Sequence, residues 1–235
     1  MIELKHINYS AVDKNDIIKD LSISFPAKKI TVITGANGSG KYTLVKLIMG
    51  ILRPTSGNVL FDGVDITNQS ITDRAKSGIT IAFQQPVAFK GITVKKLIEI
   101  ANGNPLSIGQ VCAYLSKVGL CAKDYVDREL STKLSGGEMK RIELAVSLAK
   151  GGSVYLFDEP EAGIDLWSFE GLVGIFESLK DKTIIIVSHQ QKILDIADYI
   201  LLMGANGKYS FGTKDEIMNS IHRPRVCRAL EDINE

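Results

Sequence analysis

The sequence predicts an α/β fold: a mostly parallel sheet core, an antiparallel β subdomain ahead of it, and a helical subdomain inserted into it. Three observations carry that prediction. The apolar run Ile30-Thr31-Val32-Ile33-Thr34 leads into the glycine-rich turn Gly35–Gly40 and then into a helical pattern, Leu44, Leu47, Ile48 and Ile51, which reads as strand, turn, helix. Val154-Tyr155-Leu156-Phe157 and Thr183-Ile184-Ile185-Ile186-Val187 are continuous apolar runs, as strands buried on both faces of a parallel sheet are. Near the N-terminus, Ile2, Leu4 and His6 fall on one side of an alternating pattern, and Leu21, Ile23 and Phe25 repeat it, as half-buried antiparallel strands do.

Length and composition fit this. The 235 residues suit a single domain, with 45% hydrophobic and 23% charged residues, the proportions of an ordinary globular protein. The 28 basic and 27 acidic residues leave a net charge of +1, which gives no electrostatic footprint for nucleic acid. No apolar stretch reaches the roughly 18 residues of a membrane-spanning helix, and Met1-Ile2-Glu3-Leu4-Lys5 does not open a signal peptide. Cys112, Cys121 and Cys227 are too scattered for a disulfide framework or a zinc site. The expectation is a cytoplasmic protein without direct membrane insertion.

Taken in order, the first two strands flank a polar loop, Val12–Asp16, and Tyr9 at the end of the first is by position a half-buried strand aromatic. Arg53-Pro54-Thr55-Ser56-Gly57 stops the helix that follows the glycine turn. Asn58–Phe61 is a short strand, Asp62-Gly63 a hairpin signal, residues 72–77 a polar stretch, and Gly78–Phe83 another strand ended by Gln84-Gln85-Pro86. Helical spacing then appears twice, at Val94, Leu97, Ile98 and Ala101 and at Val111, Tyr114, Leu115 and Val118. The helical subdomain covers about 87–150, with Lys123–Lys133 as a solvated connection. Leu134-Ser135-Gly136-Gly137-Glu138 opens a helix with apolar face Met139, Ile142, Val146 and Ala149; Ser135 and Glu138 have capping-box spacing. Two glycines in that first turn cost helix stability and make sense where something approaches the backbone closely. Helices follow at about Leu166–Leu179 and around Ile193–Ala197, and a last strand at Ile200–Met203. The tail, with Arg223, Arg225 and Arg228 before Glu231-Asp232-Glu235, reads as a surface helix or arm.

The chemistry concentrates at strand ends. Gly35-Ala36-Asn37-Gly38-Ser39-Gly40-Lys41 suits phosphate, because glycines let backbone N–H groups curl round its oxygens and the new helix presents its positive N-terminus. Lys41 would reach the β- and γ-phosphates. Asp158 and Glu159 end an apolar strand, where ligands bind in open α/β sheets. Asp158 suits Mg²⁺ and Glu159 suits the polarising of an attacking water. Gln84 ends a third strand, within reach of metal or water, and His189 ends a fourth. A His in that place is by itself more often structural.

These residues resemble an ABC-type ATPase over nearly the full length, the chain forming a single domain, 1–235. The strongest mark is Leu134–Glu138, which matches the family's signature, in order with Gly35–Thr43, Val154–Glu159 and His189. The resemblance implies a RecA-like P-loop core, and ATP and Mg²⁺ as cofactors. It implies adenine stacking on Tyr9; phosphates on Gly35, Asn37, Gly38, Ser39, Gly40, Lys41, Tyr42 and Thr43; Mg²⁺ on Gln84 and Asp158; Glu159 as catalytic base; and His189 on the γ-phosphate. It also implies that Asp165, in the looser D-loop Ala162-Gly163-Ile164-Asp165, and Ser135, Gly136, Gly137 and Glu138 serve an ATP-dependent head-to-tail homodimer, each signature meeting the other subunit's phosphate loop. A free monomer is expected without ATP.

Within the family, Phe83–Pro86, Glu159–Asp165 and Ser188-His189-Gln190-Gln191-Lys192-Ile193-Leu194 are similar to the SufC branch of iron–sulfur cluster assembly, which implies a SufB/SufD-like scaffold bound through the helical region and Gln84. Two readings stand beside it: the nucleotide-binding subunit of a transporter with separate membrane chains, and a nucleotide-binding module with little turnover. The last rests on Tyr42. The motif G-x-x-x-x-G-K-[ST] places a small hydroxyl on Mg²⁺ at this position, and a tyrosine hydroxyl sits several ångströms further from its backbone. Thr43 lies about 100° further round the helix. The expectation is strongly weakened Mg²⁺-dependent hydrolysis, with Lys41 and the loop backbone still holding phosphates; a ring pointing toward the metal would disturb nucleotide binding as well.

Overall fold

The computed structural model describes residues 1–11, 16–85, 89–130, 134–163, 166–204 and 207–222. The first two strands, β1 (Ile2–Ser10) and β2 (Asp16–Phe25), pair antiparallel and are extended by β4 (Ser56–Phe61) and β5 (Val64–Asp65) into a four-stranded sheet of order β2-β1-β4-β5. The predicted alternation holds to Leu4 and then slips. His6 is exposed and Ile7 is buried in its stead, because the register with β2 shifts between Leu4 and Ile7 and His6 adopts φ +51°. A bulge of this kind moves one residue of a strand out of the alternation.

The core sheet has the order β12-β11-β3-β10-β9-β6, from β3 (Ile30–Gly35), β6 (Ile79–Ala82), β9 (Val154–Asp158), β10 (Thr183–Val187), β11 (Tyr199–Met203) and β12 (Tyr209–Thr213). All of its pairings are parallel except β11 with β12. Successive residues of β10 serve opposite faces. Ile184 and Ile186 pack with the helical side. Ile185 and Val187 pack with the antiparallel sheet and α1 (Lys41–Met49). A residue that must be apolar on either face explains why the strand reads as an unbroken apolar run.

The helical subdomain contains α3 (Val94–Asn102), α4 (Ile108–Lys117), α5 (Ala122–Tyr125) and α6 (Gly136–Lys150). The stretch expected to be a solvated connection is partly structural. Val126 and Leu130 are buried, and β8 (Glu129–Leu130) pairs antiparallel with β7 (Phe89–Thr93). The polar stretch at 72–77 is largely α2 (Ile71–Lys76), capped by Ser70. Its one buried side chain is Arg74, whose guanidinium donates to the carbonyls of Leu47 and Ile48 (2.8 and 2.7 Å) at the end of α1 and of Thr67 (2.9 Å). After β9 come α7 (Leu166–Ser178) and, after β10, the short α8 (Gln191–Asp195). A last helix, α9 (Lys214–His222), follows β12. The basic and acidic tail from Arg223 onward lies outside the described residues. Among the described residues no helix is long and apolar enough to cross a membrane, and no cluster of His, Cys, Asp and Glu is arranged to hold a metal ion.

Candidate active site

The parallel sheet brings four chain-distant segments to one edge. Register places Val187 beside both Ile33 and Asp158, and Ala82 beside Phe157. The carboxyl ends of β3, β6, β9 and β10 are therefore level, and the segments that leave them face one another. Between them lies a cleft of about 400 Å³ lined by Asn37, Gly38, Gly40, Lys41, Tyr42, Thr43, Gln84, Asp158, Glu159, Val187 and Ile17. Ile17 of β2 has no polar or motif signal in the sequence. It is recognisable only from the fold, where a Cβ on Gly40 would come within 2.9 Å of its side chain.

The loop after β3 demands its glycines. Gly35 has φ +136°, and a Cβ there would sit 1.9 Å from the Met203 carbonyl oxygen. Gly40, at φ +94°, is the N-cap of α1 and leaves that helix without a side-chain cap. The first N–H groups of a helix have no partner within it, so this terminus is open to an anion. Lys41 is only 7% exposed and donates to the carbonyls of Gly35 (2.7 Å) and Ala36 (2.9 Å), within its own loop. Burial lowers its pKa, against the opposing pull of Glu159 and Asp158. The Ser39 hydroxyl is buried and without a hydrogen-bond partner among the described residues.

Asp158 ends β9 and is almost fully buried, with Oδ2 unpaired. Burial, then the neighbouring Glu159, push its pKa up to about 6, while Lys140 and Lys46 pull it down. Glu159 departs from the strand in the left-handed region, at φ +43°. A non-glycine residue there is uncommon and carries strain of about 1–3 kcal/mol. The turn is held by the Glu159 N–H donating to the Val187 carbonyl (3.0 Å). The Gln84 amide donates to Glu159 Oε2 at 2.5 Å. Glu161, raised in pKa by its burial, accepts from the Ser188 hydroxyl at 2.5 Å.

Other predicted residues lie further out. His189 is exposed just beyond β10, with Nδ1 3.4 Å from the Thr34 hydroxyl, and it does not line the cleft. Tyr9 is half-buried on β1, opposite Ile18 and packed on the core of the antiparallel sheet. Asp165 lies outside the described residues. Together with Asp158, Tyr42 lines the cleft. The side chain is 46% exposed and lies under the Lys46 ammonium, 4.0 Å from the ring centre. Residues 42 and 46 are one turn apart on α1, the spacing at which helix side chains meet.

Ser135–Glu138 does not reach this cleft. It forms the predicted capping box at the start of α6: the Ser135 hydroxyl accepts from the Glu138 N–H (3.2 Å), and Glu138 Oε2 accepts from the Ser135 N–H (2.7 Å). The Tyr125 hydroxyl donates to Glu138 Oε1 at 2.5 Å, and that bond, ahead of those from Ser135, lowers the Glu138 pKa to about 2. A Cβ on Gly137 would approach the Gly163 carbonyl to 3.1 Å, whereas one on Gly136 would meet nothing within 4 Å among the described residues. The fold around it gives no reason for a glycine at 136.

Comparison with known proteins agrees with this geometry. Residues 18–162 match the family model described as ABC transporter. The chain is 35% identical over 212 residues to a protein of Methanocaldococcus jannaschii named as an uncharacterised ABC transporter ATP-binding protein, covering 86% of this chain and 85% of that one. It is 30% identical over 218 residues to an energy-coupling factor transporter ATP-binding protein of Leuconostoc mesenteroides, covering 86% and 75%. It is 31% identical over 226 residues to a probable ATP-dependent transporter of Pyropia yezoensis, covering 88% and 89%. A bacterial Atm1-family ABC exporter with ATP bound has the same fold (TM-score 0.83, 23% identity); the match covers 93% of this chain and 40% of that longer one. These names speak of transport, and none of the three relatives carries cluster assembly in its name. The chain belongs to the ABC transporter ATP-binding family, whose domains use ATP with Mg²⁺ and generally hydrolyse it.

Proposed function

We propose that this chain is the ATP-binding subunit of a transporter whose membrane-spanning part is a separate chain. The observation that carries the reading is one cleft in which a bare helix N-terminus, Lys41 and two adjacent carboxylates converge, in a chain similar to transporter ATP-binding proteins on both sides of the identity comparison.

The residues suit the phosphates of ATP. The uncapped start of α1, the Ser39 hydroxyl without a partner and a Lys41 ammonium resting on its own loop are the groups a phosphate chain would engage. Tyr9 would stack on adenine from the neighbouring sheet, with Ile17 as an apolar wall. The metal position fits in part. Asp158, with one oxygen unpaired, and Gln84 would hold Mg²⁺, which would supply charge neutralisation on the β- and γ-phosphates. The alcohol expected at residue 42 is replaced by a phenol that leans on Lys46. Glu159 would polarise the attacking water once the Gln84 amide lets go of it, and His189 would approach the γ-phosphate from β10. Hydrolysis is correspondingly slow.

The open surface at Gly136 supports a second copy of the chain as the group that comes close. The first-turn N–H groups of α6 would meet the γ-phosphate held in the partner's loop, with Ser135, Gly137, Glu138 and Asp165 at the same contact.

A second reading, the SufC-type ATPase acting on a SufB/SufD-like scaffold, is favoured by one contact. Two of the three stretches similar to that branch are joined by the bond between Glu161 and Ser188. Affinity purification of the full chain from its own cells separates the readings. Recovery of an integral membrane protein supports the transporter. Recovery of a scaffold with no hydrophobic spans overturns it in favour of cluster assembly.

A further inference from the structure

α6 carries two features the site does not explain. Lys140 is completely buried, a rare place for a lysine, and Glu143 one turn further on lies partly buried beside it. They do not simply neutralise each other. The Lys140 ammonium donates to the Phe83 carbonyl, reaches the Gln84 carbonyl at 3.4 Å and pairs with Glu143 Oε2 at 3.2 Å. The other Glu143 oxygen, Oε1, accepts from the Phe83 N–H at 2.7 Å. The Phe83–Gln84 backbone, which has left β6, is therefore gripped on both its donor and its acceptor side by one helix. Beyond the grip, the Gln84 side chain binds Glu159. A path of hydrogen bonds, carried through the Gln84 residue itself, runs from α6, whose N-terminus is Gly136, to the Glu159 carboxylate just past β9.

We propose that Lys140 and Glu143 are positioning residues: they fix the Phe83–Gln84 backbone to α6 and thereby hold the Gln84 amide on Glu159, so that displacement of α6 from the core sheet frees that carboxylate. The pair is retained for this linkage rather than for stability, since a buried ion pair is poor evidence of stabilisation by itself. Two short arms from one helix face, meeting both polar groups of the same peptide segment, transmit a movement of the helix that an apolar contact would let slide. The consequence rests on the functional reading above, in which Glu159 acts on water. The linkage itself does not.

The test is a double-mutant cycle between residues that do not touch, Glu143→Gln and Glu159→Ala, read by urea unfolding of the full nucleotide-free chain and repeated with Gln84→Ala in every member. The expected result is non-additivity of about threefold or more in the unfolding constant, as for residues in one hydrogen-bond network, falling to additivity once Gln84 is shortened. Additive effects with Gln84 present overturn the proposal. So does coupling that survives Gln84→Ala, which would be direct electrostatics. If Glu143→Gln does not fold, Lys140→Arg, which keeps the charge and changes the reach, takes its place with the same expectation. Because no nucleotide is present, failure of the cycle sinks the linkage alone, whereas failure of the wild-type chain to bind ATP sinks the functional reading.

Discussion

The phosphate-loop half of the molecule and the signature half solve opposite problems. The loop is built into the core: Lys41 is buried on its own loop's carbonyls, Gly35 is pressed against Met203, and Asp158 is closed in at the end of β9. Lys41 and Gly35 answer to groups of the same chain, while the Ser39 hydroxyl and Asp158 Oδ2 have no partner among the described residues. The start of α6 is held just as firmly from behind, by the capping box and Tyr125, yet at Gly136 an added Cβ would meet nothing within 4 Å among the described residues. The difference teaches which features need a second molecule to explain them. The glycine at 35 is explained within the fold, whereas the unpartnered Ser39 hydroxyl and the unobstructed glycine at the start of α6 are not.

Substitutions that break this contrast should rank as follows. The largest effect is expected from Lys41→Met, which removes a charge-assisted contact to phosphate and should weaken ATP binding by about 10- to 100-fold in a calorimetric titration. Unchanged affinity would take Lys41 out of the site. Next, Tyr42→Ser restores the hydroxyl expected at the metal and should raise Mg²⁺-dependent ATP hydrolysis by at least about tenfold, since even outer partners of a metal change its binding by 10–100-fold. Equal steady-state rates would show that the phenol costs nothing. Gly136→Ala sharpens the comparison, because the two halves of its effect have opposite signs. In the monomer it should be neutral or stabilising by up to about 1 kcal/mol, as Gly to Ala in a helix is, while ATP-dependent association should fall. A thermal melt that drops would mean Gly136 is needed by its own fold.

The smallest effect concerns Glu138. Its folded pKa, about 2, lies below its ordinary value of 4.5, so the folded chain holds fewer protons in that range and stability falls with falling pH. The contribution is complete above pH 4.5 and lost as the pH drops toward 2. Glu138→Gln should cost about 1 kcal/mol at neutral pH, the worth of a good cap, and that deficit should shrink across the same window in acid denaturation curves. A constant deficit down to pH 2 would mean the charge plays no part.

Much of this was legible in the residues themselves. Val154–Phe157 and Thr183–Val187 read as buried parallel strands because both faces of the sheet are covered, and the spacing of Ser135 and Glu138 predicted a cap that forms. What escaped did so for physical reasons. α2 buries one side chain, and that one is Arg74, so the helix has no apolar period to show. His6 fell out of the alternation through a bulge, which depends on pairing with β2. Ile17 lines the cleft only because the two sheets are packed together. The contact of Tyr42 with Lys46 one turn away is one that α1 creates and the motif does not mention. The grip of Lys140 and Glu143 on Phe83 joins residues some sixty positions apart, and no local pattern announces it.

The most direct test of the account is the mass in solution of the Glu159→Gln chain, which on the proposed role of Glu159 should not hydrolyse ATP, at saturating ATP by sedimentation equilibrium. The account predicts twice the 25.7 kDa of one chain and a return to the single mass when Gly136→Trp is added. A chain that stays at 25.7 kDa with ATP demonstrably bound would contradict a site shared between two copies.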